Sequence, residues 1–250
     1  MARRLENRKA LITGGSRGIG GAIAVAFAAE GADVAFCHDD DPEGAAAVAS
    51  AVRSHGRQVL AVQCDVAKDA AVRRFWAESE RMLGQIDILV NNAGIGAQQS
   101  FEAIDLPTFD RMIDVNLRAV FLFSQLATPA MRTRRWGRII NVASQLAYKG
   151  ANGLSHYCAA KAGVIGLTRA LAIELAESGI LVNAIAPGMV VTRLNEGLTD
   201  DWKTHKLNEL PIHRFGTPCE IAPTAVLLAS SDGDFYVGQT LSPNGGDVFL

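Results

Sequence analysis

Short, β-branched apolar runs alternate along the chain with longer stretches in which apolar residues return every three to four positions. The runs fall at residues 10–12, 34–36, 59–62, 86–90, 138–142, 181–185 and 240–241. Each is near-continuously apolar, the pattern of a parallel strand covered on both faces. Helical periodicity fills residues 18–30, 42–55, 68–83, 107–131, 155–178 and 219–229. Pro107 is well placed to open its helix, because the first helical N–H needs no partner, whereas Pro223 is awkward inside the last one. Seven strands with intervening helices predict an α/β fold built on a doubly wound, seven-stranded parallel sheet. No composition break, linker or solenoid-length repeat divides residues 1–250, so a single domain is the simplest account.

Composition narrows the classes of function. With 49% apolar residues the chain can bury a full core. A formal charge of -2 offers no basic field for nucleic acid, and Arg3, Arg4, Arg8 and Lys9 are too few to change that. No apolar run approaches the roughly 18 residues of a membrane helix, and the basic N-terminus leads into a short strand rather than a signal-peptide core, so the expected location is cytoplasmic. The cysteines, Cys37, Cys64, Cys158 and Cys219, form no C-x-x-C pair and no zinc spacing, which favours reduced and mostly buried thiols. The histidines are equally scattered and give no support to a metal site.

Thr13-Gly14-Gly15-Ser16-Arg17-Gly18-Ile19-Gly20 stands between the first strand and the first helix. Gly14 can take the dihedrals of a tight turn, Gly18 lets backbone approach a pyrophosphate, and Gly20 lets helix pack close to strand. The helix start supplies free N–H groups and positive dipole. Three glycines alone are as consistent with an ordinary turn; the strand before and the Ile19, Ile23, Phe27 stripe after them favour a dinucleotide. Ligands in such sheets sit beyond the carboxyl ends of the strands, and two further strand ends carry suitable residues. Asp65-Val66 follows the third strand, where the acid could accept an adenine amino group. Asn91-Asn92-Ala93-Gly94 follows the fourth, where small residues let a flat base or ribose lie on backbone. Singly, Asp65 reads equally as a helix cap and the asparagines as a turn.

Tyr157 and Lys161 are four residues apart, hence on one face of a helix. Ser144 lies just past the fifth strand. A carbonyl receiving hydride builds negative charge on oxygen and needs a proton donor and a hydrogen-bond donor to hold it. Tyr157 can supply the first and Ser144 the second. A free phenol titrates near 10, and Lys161 is placed as a cation that would favour the phenolate and could hold a ribose hydroxyl as well.

With these residues in place the sequence resembles the short-chain dehydrogenases/reductases over nearly its whole length, within a subgroup like 3-oxoacyl reductases and sugar dehydrogenases. The family's T-G-x-x-x-G-x-G appears as Thr13 to Gly20, its N-N-A-G as Asn91 to Gly94, its serine as Ser144, its Y-x-x-x-K as Tyr157 and Lys161, and its P-G turn as Pro187-Gly188 followed by Val190 and Thr192. The resemblance implies a Rossmann domain and an NAD(P)-dependent oxidoreductase interconverting a secondary alcohol, or hemiacetal, and a carbonyl. It also implies a fourth catalytic residue, Asn116, acting on Lys161 through a water, and nicotinamide and phosphate contacts from Pro187, Gly188, Val190 and Thr192. Family members are commonly homotetramers, or homodimers, with helices 107–131 and 155–178 at one interface. One departure is Asn244, where the family usually has aspartate before Gly245-Gly246. Another is the end of the second strand, where His38 takes the place of the acid of NAD-selective relatives and Asp39 that of the usual arginine. Arg17 could pair with a 2′-phosphate or with the acidic run beside it. NADP(H) is favoured over NAD(H).

The residues expected around the substrate are Ser144, Gln145, Leu146, Asn152, His156, Tyr157, Met189 and Leu194, a mixed set suited to a modest polar carbonyl or alcohol. Residues 188–211 break the strand-helix rhythm and read as a helical lid over it. His156 before the tyrosine is shared with some sugar dehydrogenases, so a polyol or aldose stands beside a 3-oxoacyl thioester or ketone. A non-catalytic nucleotide-binding regulator is the rival from another class, against which Asn116, Ser144, Tyr157 and Lys161 all argue. Epimerisation or dehydration usually comes with an additional substrate domain, for which 250 residues leave no room.

Overall fold

In the computed structural model the apolar runs form seven parallel strands, β1 (Lys9–Ile12), β2 (Asp33–His38), β3 (Val59–Gln63), β4 (Ile88–Asn91), β5 (Gly137–Val142), β6 (Ile180–Ile185) and β7 (Thr240–Leu241). The structure describes residues 3–193, 197 and 199–249. The strands are ordered β3-β2-β1-β4-β5-β6-β7 in one sheet. β1 pairs with β2 through Leu11 and Ala35 and with β4 through Leu11 and Leu89. Successive residues point to opposite faces, and both faces are covered. Ile12, Val34, Phe36 and Val90 join one buried cluster, whereas Leu11, Ala35, Cys37 and Leu89 join another. This double burial is why the strands read as unbroken apolar runs.

The first layer contains α1 (Gly18–Ala29), α2 (Pro42–Ser54) and α9 (Pro218–Ala229), with α1 lying along α9. The second contains α3 (Asp69–Leu83), α5 (Ala119–Arg134) and α7 (Ser155–Leu175), the last followed by a 3₁₀ turn, Ala176–Ser178. Helix starts follow local chemistry. Asp41 caps α2 by accepting from the Gly44 N–H, with Pro42 at the first helical position. Thr217 and Glu220 form a capping box at α9. Pro223 is held inside α9 despite its missing N–H.

One helix departs from the expectation of a continuous span over residues 107–131. It is divided into α4 (Leu106–Ile113), a π-helical turn over Asp114–Arg118, and α5. The Ala119 N–H reaches back five residues to the Asp114 carbonyl, and the Met112 carbonyl accepts the Asn116 side-chain amide at 3.0 Å. A single wide turn shifts the helical phase by less than the width of an apolar stripe, so periodicity carries no trace of it. Of residues 188–211, the part expected as a lid, the described portion contains α8 (Asp200–Glu209). Leu194 lies outside the described residues. No helix among the described residues is long and apolar enough to cross a membrane.

Candidate active site

The chain runs from β1 outward to β3 and then returns to β4, so the loops beyond β1 and β4 part and leave a crevice between them. A cavity of about 550 Å³ occupies this place. Gly14, Ser16, Arg17, Gly18 and Ile19 border it from the first loop, His38 and Asp39 from the end of β2, and Asp65 and Val66 from beyond β3. Asn92, Ala93 and Gly94 enter from β4, Ser144 from β5, Tyr157 and Lys161 from α7, and Pro187, Gly188, Val190 and Thr192 from beyond β6. Gly20 alone of the expected glycines stands behind the wall, where a Cβ would lie 2.2 Å from the Gly14 carbonyl oxygen and 2.4 Å from Asn92 Nδ2. Gly14 and Gly18 hold φ of 67° and 56°, a region that disfavours side chains. A Cβ on Gly18 would enter the gap facing Thr192 Cγ2, 3.4 Å away, at the open start of α1.

The asparagine pair builds this loop from behind. Asn92 Nδ2 donates to the Thr13 and Gly14 carbonyls at 2.9 Å each, and the Asn92 and Ala93 N–H groups donate to Thr13 Oγ1 at 2.9 Å. Asn92 therefore ties β4 to the glycine turn with its side chain and offers the cavity mainly backbone. Asp65 is similarly engaged: its carboxylate accepts from the Ala67 N–H at 3.0 Å and from Arg111 Nη1 at 2.9 Å. Burial would raise its carboxyl, yet these bonds and the Arg111 charge hold it below its ordinary value. Arg111 lines the same cavity and was not legible as a site residue, since one arginine on an amphipathic helix has no distinguishing spacing. Arg17 pairs with Asp41 at 3.3 Å, with nearly half of the arginine side chain in solvent. His38 Nδ1 accepts from the Asp41 N–H at 3.3 Å.

At the other end, Ser144 is buried and its hydroxyl bonds to the Tyr157 phenol, which is half-buried. Burial raises the phenol above its ordinary value and the Ser144 bond offsets part of that rise. This differs from the expectation of a phenol acidified by Lys161. The ammonium sits over the face of the Tyr157 ring, 5.8 Å from its centroid, and donates to the Val142 carbonyl at 2.8 Å. Low polarity disfavours both charged forms: Lys161 is buried, and desolvation lowers its pKa from 10.5 to about 8. Asn116 stands behind Gly94. Its Nδ2 donates to the Ile95 and Met112 carbonyls at 3.0 Å, and its Oδ1 is buried with no protein partner. A Cβ on Gly94 would lie 2.8 Å from Asn116 Oδ1 and 3.5 Å from Lys161 Nζ, so both polar ends border the space beside this glycine without bonding to each other.

The expected substrate residues do not all gather. Gln145 is buried and its Nε2 donates to Asp247 Oδ2 at 2.5 Å, and Leu146 opens the short helix α6 (Leu146–Lys149). Asn152 is exposed, and its carbonyl accepts from Gln98 at 3.3 Å. His156 does not border the cavity: it is 1% exposed on the same face of α7 as Ala160 and Val164, with neither ring nitrogen partnered by protein. The sequence reading places it around the substrate; packing of α7 against the body of the molecule turns it inward instead.

A doubly wound sheet whose switch-point crevice holds a glycine turn, a serine, a tyrosine and a lysine defines a dinucleotide-type oxidoreductase. The family model for short chain dehydrogenases matches residues 8–203, and the chain belongs to that family of oxidoreductases. It is 42% identical over 240 residues to the 3-oxoacyl-[acyl-carrier-protein] reductase FabG of Staphylococcus epidermidis, an alignment covering 96% of this chain and 98% of the relative. Among solved structures it is similar to a putative short-chain alcohol dehydrogenase from Sinorhizobium meliloti, with TM-score 0.94 and 36% identity over 99% of this chain and 98% of that one. A short-chain dehydrogenase from Burkholderia cenocepacia in complex with NADP superposes with TM-score 0.90 and 37% identity, covering 98% of this chain and 99% of that one.

Proposed function

We propose that the protein reduces the ketone of a 3-oxoacyl thioester, or a closely similar carbonyl, to a secondary alcohol at the expense of NADPH, with Tyr157 as the proton donor. The observation that carries this reading is the phenol itself. It borders the cavity, is hydrogen-bonded to Ser144, and has a pKa raised by burial, so it remains protonated at neutral pH and is ready to donate. The bound dinucleotide supplies the hydride. Ser144 holds the carbonyl oxygen and steadies the charge that grows on it. Lys161 holds a ribose hydroxyl and keeps a positive charge beside the phenol as its proton leaves. Asn116 Oδ1 and Lys161 Nζ, which both border the space beside Gly94, would carry a water that returns a proton to the site.

The glycine turn and the start of α1 would take the pyrophosphate, with Ala93-Gly94 beneath the ribose and Pro187, Gly188, Val190 and Thr192 around the nicotinamide end. Arg17 and Arg193 at the cavity edge support the 2′-phosphate form, and His38 provides no carboxylate to bond a free ribose diol. The similar Burkholderia protein was crystallised with NADP. The acyl reading rests on the Staphylococcus relative's named substrate. His156, which does not border the cavity, adds no weight to the sugar reading. Exposed Phe121 on α5 and Ile173 on α7 suit the contact between copies that the family resemblance implies.

The reading is tested by initial rates with acetoacetyl thioesters, simple ketones and aldoses, each with NADPH and NADH. Turnover of the thioester with at least tenfold preference for NADPH, about 1.4 kcal/mol, is expected. Turnover confined to aldoses, or a preference for NADH, would overturn it.

A further inference from the structure

The last residues of the chain fold back over the site. The Gly188 N–H donates to the Pro243 carbonyl at 3.1 Å, and a Cβ on Gly188 would lie 2.6 Å from the Asn244 Cα, so the C-terminal turn lies against the Pro187-Gly188 turn. This places Asp247 between two elements with no backbone connection to each other. On one side its carboxylate accepts from Gln145 Nε2 at 2.5 Å and Lys149 Nζ at 2.7 Å, at the two ends of the segment that begins immediately after Ser144. On the other it accepts from Lys206 Nζ at 2.7 Å, and Lys206, on α8, also donates to Glu209 at 2.9 Å. The Asp247 side chain is 6% exposed and that of Lys206 11%, so these are charged bonds made largely out of water. Burial would raise the Asp247 carboxyl, but the two ammonium groups outweigh it and hold it ionised below its ordinary value.

We propose that Asp247 is a positioning residue that clasps α8 to the Ser144-Lys149 segment, so that one carboxylate sets both the docking of α8 and the placement of the Ser144 hydroxyl. Loss of a nearly buried carboxylate leaves two ammonium groups facing one another, so both sides of the clasp should loosen together. The part of this that concerns rate rests on the reductase reading; the part that concerns docking does not.

Hydrogen exchange and steady-state kinetics on the full chain test it together. Asp247→Asn is expected to speed amide exchange of α8 and of residues 145–149 by about tenfold or more, whereas Lys206→Met speeds exchange of α8 alone. With an acetoacetyl thioester and NADPH, Asp247→Asn is expected to lower kcat about tenfold. Lys206→Met leaves kcat within about threefold, because Asp247 keeps its bonds to Gln145 and Lys149. The NADPH Kd stays within about twofold in both, since Asp247 and Lys206 do not border the dinucleotide cavity. Exchange in both segments unchanged in Asp247→Asn, or kcat unchanged, would overturn the clasp. Should Asp247→Asn not fold, Lys206→Met and Lys149→Met decide it, the latter being expected to loosen residues 145–149 but not α8. A wild-type chain that reduces no carbonyl speaks against the reductase reading, and the exchange rates then decide the clasp by themselves.

Discussion

At the scale of single residues the site depends on how burial treats charge. Lys161 is drawn out of water with one carbonyl as its direct partner, and its pKa falls to about 8. A lysine whose folded pKa lies below its unfolded one weakens the fold while it is protonated in both states. That cost is lifted as pH rises from about 8 towards 10.5, where only the unfolded chain still holds the proton. Lys161→Met is therefore expected to stabilise the protein by about 1–3 kcal/mol at neutral pH, net of the unpaired Val142 carbonyl it leaves. Its advantage over the wild type should shrink as pH approaches 10.5. Thermal melts across that range check the sign, and a variant less stable than wild type at neutral pH would contradict it. A group retained against stability in this way belongs to chemistry rather than to folding. Tyr157, Ser144, Lys161 and the glycines could be found from spacing because each lies within a short local pattern. Asp247, Lys149, Lys206 and Arg111 could not, because their meaning arises only when distant segments come together.

At the scale of elements, the strands were legible because burial on both faces leaves little room for polar residues, and the first loop because strand, glycines and helix follow one another within a dozen positions. What periodicity could not show is the π turn around Asn116, where one extra residue in the turn leaves the apolar stripe intact. It could not show either that α7 turns His156 inward, since the helical face of a single residue at a helix start is poorly fixed by the stripe that follows. The contact between α1 and the glycine turn is more sharply determined. A methyl on Gly20 would meet the Gly14 carbonyl and Asn92 Nδ2, both parts of the scaffold that shapes the cavity. Gly20→Ala is expected to cost about 1–3 kcal/mol of stability and to weaken NADPH binding at least tenfold. Denaturant unfolding and fluorescence titration of NADPH measure the two, and a variant that binds as the wild type does would show that the loop tolerates displacement.

At the scale of the whole molecule, the strand order opens a crevice between the loops of β1 and β4, and residues from six strand ends, α4 and α7 converge there. The fold class was readable in advance, and with it the strand ends that border the cavity, because a parallel sheet sends every strand's carboxyl end to the same side. The junction of the C-terminal turn, α8 and the segment after Ser144 was not, because its bonds join positions more than forty residues apart. The central claim joins all three scales: a protonated phenol, held by Ser144 beside a dinucleotide cavity, delivers its proton to the oxygen of a ketone. The most direct test is a single turnover of NADPH-loaded protein mixed with an acetoacetyl thioester, comparing wild type with Tyr157→Phe. The account predicts NADPH consumption by the wild type and a loss of about 10²–10⁴-fold in the variant, with NADPH affinity nearly unchanged. A variant that consumes NADPH at the wild-type rate would contradict it.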